Sequence, residues 1–181
     1  MPTIVDLLSN HNTFATRRLL EACRALSEED FKRDFQIGCG SLHRTFLHII
    51  GAMQRWADRI ADRPIRPSLE QDPQRWNAVD LLDLLRDAAK DLHEVVSHVR
   101  REKRLHEIMS VHPQGYEQPF TFTRGSAIVH VFTHGVHHRA QALHMLKRLG
   151  VQPLPEIDAI DAELAQGKLS TAENNGLDRM A

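Results

Sequence analysis

The chain has 181 residues, 41% hydrophobic and 26% charged, with a formal charge of −1. That length supports one domain with a full core, and the balanced charge excludes a general electrostatic attraction to nucleic acid or to an anionic membrane. Two cysteines, Cys23 and Cys39, are too few for a secreted disulfide scaffold, and no run approaches the roughly 18 apolar residues of a spanning helix. The amino terminus has no basic stretch followed by an apolar run, so no signal peptide is expected and the cytoplasm is the default compartment.

In chain order, Ile4, Leu7, Leu8, Phe14, Leu19 and Leu20 recur at helical spacing and predict a first helix over 3–26. Residues 27–30 read as a polar turn with a capping sequence, and 31–39 as irregular chain broken at Gly38-Cys39-Gly40. A second helix is predicted over 41–61, with Leu42, Phe46, Ile49, Ile50, Met53, Trp56 and Ile60 on its apolar side. Pro64 and Pro67 stop it and open a connection over 62–77. A third helix follows over 78–103, and the cations near its end (Arg100, Arg101, Lys103, Arg104) suit the helix dipole. Residues 108–111 and 120–123 flank Pro113-Gln114-Gly115 and predict a short β-hairpin or extended loop. The last long helix opens at Gly125 and Ser126 and runs to Leu149, with Gly150 behind it. A brief helix over 156–164 and a polar, mobile tail over 166–181 complete the chain. Four long amphipathic helices with little strand predict an all-α four-helix bundle over 1–165, a fold that builds metal sites from side chains on facing helices.

Histidine is the unusual count: there are 12, five of them between His130 and His144. His130, His134 and His138 follow one another at four-residue intervals. Neighbours in that series share a helical face with Cβ atoms about 5–6 Å apart, a spacing at which two imidazoles can chelate one ion. A third ligand should come from a facing helix, and His48 lies among core residues of the second helix, beside Gly51 and Ala52. His48, His134 and His138 are therefore the proposed ligands. Three neutral imidazoles leave positions open for water or substrate and suit zinc, nickel, cobalt, copper or ferrous iron rather than magnesium or calcium. Spacing alone also admits His130 with His134, or His137 with His134. A His-Glu-x-x-His protease is excluded because Gly135 stands where the glutamate is needed, and a di-iron bundle because the Glu-x-x-His pairs are missing.

Together, Leu47-His48-Ile49 on the second helix and Thr133-His134-Gly135-Val136-His137-His138-Arg139-Ala140-Gln141 on the last long helix resemble the DinB/YfiT superfamily, whose final helix carries a His-x-x-x-His-Arg-Gly-Gln motif. The resemblance spans residues 3–165 and departs from the family at Ala140, where glycine is usual, and at Thr133, where asparagine is common. It maps the family's ligands onto His134 and His138, and the histidine early in the family's second helix onto His48. It implies a homodimeric bundle that binds a divalent metal, zinc or nickel foremost, and acts on a small-molecule substrate. In the better-understood relatives, a low-molecular-weight thiol such as bacillithiol, mycothiol or glutathione is activated for S-transfer or isomerisation; others are described as metal-dependent hydrolases. A non-enzymatic metal-binding dimeric module is the alternative. No nucleic-acid or membrane partner is implied.

The neighbours of the proposed ligands take provisional roles. Arg139 points about 100° away from His138 and is read as pairing with a carboxylate on a neighbouring helix, or as anchoring an anionic substrate. Gln141, three residues past His138, is a candidate hydrogen-bond partner that fixes an imidazole tautomer. His130 is a candidate pocket wall or proton carrier. His43 lies about 140° from His48 on the helical wheel and is set aside. Trp56 and Phe132 are read as core, and Cys23 as packing. Cys39 sits in a glycine-flanked turn before a helix N-terminus, where the dipole lowers a thiol pKa, and is a candidate nucleophile with no partner fixed beside it. His137 receives no role.

Overall fold

In a computed structural model describing residues 2–71, 76–112, 115–165 and 167, every long helix starts at a side-chain cap. Thr3 accepts the Asp6 N–H and opens α1 (Ile4–Cys23). Ser27 accepts the Asp30 N–H and opens a five-residue α2 (Glu28–Lys32). Ser41 opens α3 (Leu42–Ile60), Asn77 opens α4 (Ala78–Arg101) and Thr123 opens α5 (Arg124–Arg148). Each cap satisfies donors that the first helical turn leaves without partners. The segment predicted as a polar turn after α1 is thus partly helical: its cap, with Glu28, Glu29 and Asp30 in the first turn, favours a helix start. The third predicted helix ends two residues early, because Lys103 takes a left-handed φ of 57°. The brief last helix, α6 (Ala159–Leu164), starts three residues later than predicted, where the Asp161 carboxylate accepts the Asp158 N–H.

The four long helices form the predicted bundle: α1 and α3 each pack against both α4 and α5. Leu19 and Leu20 of α1, Phe46 and Ile50 of α3, Leu81 and Leu92 of α4, and Met145 and Leu146 of α5 lie in one buried cluster. Helix α6 lies on α1. The strands β1 (Ile108–Val111) and β2 (Phe120–Thr123) pair antiparallel, Ile108 opposite Thr123 and Val111 opposite Phe120. Pro113 and Gln114 of the predicted turn, residues 72–75 of the connection, and the tail over 166–181 except Gly167 lie outside the described residues. Among the described residues, no helix is long and apolar enough to cross a membrane.

One face was misjudged. Ile4, Leu7 and Leu8 of α1 are exposed, while Ser9, Asn12 and Thr16 are buried together with Ala15, Leu19 and Leu20. The polar part of that face answers a buried cation on α5, described below.

After α3 the chain is pinned by charge. Asp58, buried on α3, takes two hydrogen bonds from the Arg66 side chain at 2.6 and 2.7 Å, and Arg66 also reaches Asp91 of α4 at 2.6 Å. Arg63 forks onto the Asp91 carboxylate at 3.0 and 2.9 Å. The clamp directs the chain into a short 3-10 turn, Leu69–Gln71, packed on α3. That turn carries Glu70 to the site.

Candidate metal centre

Helices α3 and α5 run antiparallel. His48 meets His134, Trp56 meets His130, and the Ile60 carbonyl accepts a hydrogen bond from Arg124. The structure brings the imidazoles of His48, His134 and His138 together. Their ring centroids are 4.4 Å apart for His134 and His138, 4.6 Å for His48 and His138, and 4.9 Å for His48 and His134. The Nε2 atoms of His48 and His134 are 3.0 Å apart.

The outer nitrogens fix the tautomers. His48 Nδ1 lies 2.9 Å from Glu70 Oε1, and His138 Nδ1 lies 2.9 Å from Gln141 Oε1. A carboxylate and an amide oxygen only accept, so both Nδ1 atoms carry the proton and both Nε2 lone pairs are left free. Burial, reinforced by the surrounding histidines, pushes the His134 pKa down to about 3. Burial also lowers His138, against the hydrogen bond it donates to Gln141. His134 and His138 therefore present neutral nitrogen donors near neutral pH. Two nitrogens each about 2.0–2.1 Å from one ion lie roughly 3 Å apart, so the His48–His134 nitrogen spacing fits a shared transition metal.

Gln141 is itself held in place. Its Nε2 donates to His137 Nε2 at 2.9 Å, and its amide packs on Gly38, where a Cβ would overlap it. Gly38 also has a φ of 53°, so both space and backbone require glycine there. His137 is thereby placed as a brace for Gln141.

Cys39 arrives at the same place. Its sulfur and one ligand nitrogen each of His48 and His138 all lie within 4.8 Å of one another. From sequence alone Cys39 is a candidate nucleophile with a dipole-lowered pKa. Here burial, then the Glu70 charge, raises its pKa, with Arg44 opposing. Its place in the turn that feeds the His48 helix was the available signal for a donor role.

Arg139 is corrected most. It is 2% exposed, and its Nη1 donates to Asn12 Oδ1 at 2.6 Å and Thr16 Oγ1 at 3.3 Å. Among the described residues it meets neither a carboxylate nor the cleft, and burial lowers its pKa to about 10. Gly135, one turn earlier, leaves the room in which Asn12 and Arg139 meet. His43 packs edge-on against Phe31 at 5.5 Å, away from the cluster, and Phe132 and Cys23 are buried in the core. Burial pushes the Cys23 thiol up to about 12.

His48 and His134 also line a cleft of about 650 Å³ running between α3 and α5 to the hairpin. Trp56, read from sequence as core, is half-buried and forms one wall; His130 is 5.0 Å from its ring, edge-on, and Phe122 is 6.0 Å away. His130 is exposed and thus stands on the cleft wall. Arg55 and Arg59 also line the cleft and went unnoticed in the sequence. Their signal was spacing: 48, 52, 55 and 59 fall on one helical stripe.

The DinB family model matches residues 1–171. The crystal structure of a DinB-like protein, YjoA, from Bacillus subtilis is similar over 86% of this chain and 96% of that one, with a TM-score of 0.60 and 16% identity. That likeness is one of fold. No curated protein matches the chain.

Proposed function

The chain belongs to the DinB family, and we propose that it is a divalent-metal-dependent enzyme that activates a low-molecular-weight thiol for transfer to an electrophile. The observation that carries this reading is the convergence of three imidazoles from two facing helices, with the outer nitrogens of two of them tied to acceptors. His48, His134 and His138 would hold the ion, zinc or nickel. When bound, the ion supplies positive charge that lowers the pKa of a nearby thiol. Glu70 and Gln141 keep the ligand imidazoles in the donor tautomer. The cleft orients the electrophile toward His48 and His134, and His130 on its wall carries the displaced proton to solvent.

Cys39 favours one second reading. With its sulfur as fourth donor the site would be closed, and the metal structural. Metal analysis and a thiol panel separate the two. On the first reading, reconstituted protein holds one zinc per chain, His134→Ala abolishes it, Cys39→Ser retains it, and chelation leaves the bundle folded. A thiol with 1-chloro-2,4-dinitrobenzene then turns over only in the loaded protein. Loss of zinc in Cys39→Ser, with collapse of the thermal midpoint on chelation, would establish the structural reading instead.

A further inference from the structure

Several arginines of this protein have a carboxylate. Arg63 and Arg66 pair with Asp58 and Asp91, and Arg104 and Arg124 with Glu107 and Asp62. Arg59 differs. It is half-buried in the cleft, its Cζ is 5.4 Å from the Trp56 ring centre, and its Nη1 donates to the Arg55 carbonyl at 3.3 Å. Among the described residues, no carboxylate lies within 4.0 Å of it. The adjacent Asp58 is already engaged by Arg63 and Arg66. Arg55, one turn away, adds a second guanidinium to the same edge, with only a 3.7 Å contact to Glu70.

The same cleft has apolar and aromatic walls: Ala52, Trp56, Val111, Phe120 and Phe122. Arg59 reaches back over Trp56 toward residue 55, seven residues past His48. At 1.5 Å per residue, that sets its guanidinium about 10 Å along the helix from the imidazole cluster.

We infer that Arg59, supported by Arg55, is the anion subsite of the cleft, and that the ligand is an organic carboxylate with an apolar or aromatic body. The carboxylate sits on the guanidinium, the body lies against Trp56 and Phe122, and the far end reaches the imidazoles. A guanidinium fork matches a carboxylate in two hydrogen bonds, and apolar walls strengthen the pairing by excluding water. This recognition does not rest on the proposed function, which enters only if the far end reacts at the imidazoles.

The test is calorimetric titration of 4-phenylbutyrate, its neutral amide and glutathione into zinc-loaded and metal-free protein, with zinc content measured alongside. The acid binds at least about tenfold more tightly than the amide. Arg59→Gln removes that preference, Arg59→Lys restores part of it, and zinc content stays unchanged in both. Equal binding of acid and amide overturns the inference. So does a preference that survives Arg59→Gln and disappears with the metal, since the carboxylate would then sit on the ion. Arg59-dependent binding of glutathione without that of phenylbutyrate overturns the apolar ligand class. If the protein takes no zinc yet keeps the Arg59-dependent preference, the subsite stands and the metal reading falls.

Discussion

Replacing Gly135 by alanine separates helix propensity from packing. In an exposed helix interior, glycine to alanine stabilises by about 0.5–1 kcal/mol. At Gly135, an added Cβ would lie 2.5 Å from Asn12 Oδ1 and 2.7 Å from Arg139 Nη1. Neither atom can swing into solvent, because Asn12 and Arg139 are each 2% exposed. The methyl would wedge apart a 2.6 Å hydrogen bond that supports a buried guanidinium. A hydrogen bond to a charged group contributes about 1.5–3 kcal/mol, so the net effect is a destabilisation of about 1–2 kcal/mol. Urea unfolding of the metal-free protein, followed by far-ultraviolet circular dichroism, measures it as a lower midpoint at unchanged slope. Ala140→Gly, on the exposed side of α5, is the control and is itself destabilising by about 0.5–1 kcal/mol. A Gly135→Ala protein as stable as the parent, or more so, would refute the packing account of the Asn12–Arg139 contact.

Three further outcomes follow from the same contacts. Glu70→Ala and Gln141→Ala each weaken zinc binding about 10- to 100-fold in a competition titration, with helix content unchanged, because each frees a ligand imidazole to turn. Burial raises the pKa of Asp58 and Asp91, but hydrogen bonds and charge from Arg66 and Arg63 outweigh it and hold both below the usual carboxylate range. The stability they contribute is present above about pH 4 and lost as pH falls below it, and Asp58→Asn flattens that acid limb of the unfolding midpoint. Metal-free protein loses stability earlier as well. The unfolded chain protonates His134 near the ordinary histidine value of 6.5, while the folded chain resists to about pH 3. Stability therefore declines as pH falls through that interval, and His134→Gln reduces the slope.

The parts of this fold that are local in the chain could be read from it. Ser27 is legible as a cap because its side chain bonds within three residues, and the hairpin strands announce themselves by β-branched and aromatic residues; Thr3, Ser41, Asn77 and Thr123 cap by equally local bonds. The four-residue spacing of His134 and His138 also survives translation into space, because both ride one helix. What escaped depends on distant chain. Glu70 reaches His48 only through the Asp58–Arg66 clamp, and no periodicity marks a residue in a proline-bearing connection. Asn12 and Thr16 look like surface residues until Arg139, 127 and 123 positions away, requires acceptors. Gly38 reads as a generic breaker until Gln141 packs against it. Cys39 reads as a thiol at a helix dipole, but burial dominates its environment.

On the proposed function, His48, His134 and His138 share one metal ion and leave its remaining position open to substrate. X-ray absorption at the zinc K-edge of reconstituted protein tests it most directly. One zinc per chain is expected, with three imidazole nitrogens at about 2.0–2.1 Å and no protein sulfur. A sulfur at about 2.3 Å that disappears in Cys39→Ser, or a protein that retains no zinc, would contradict it.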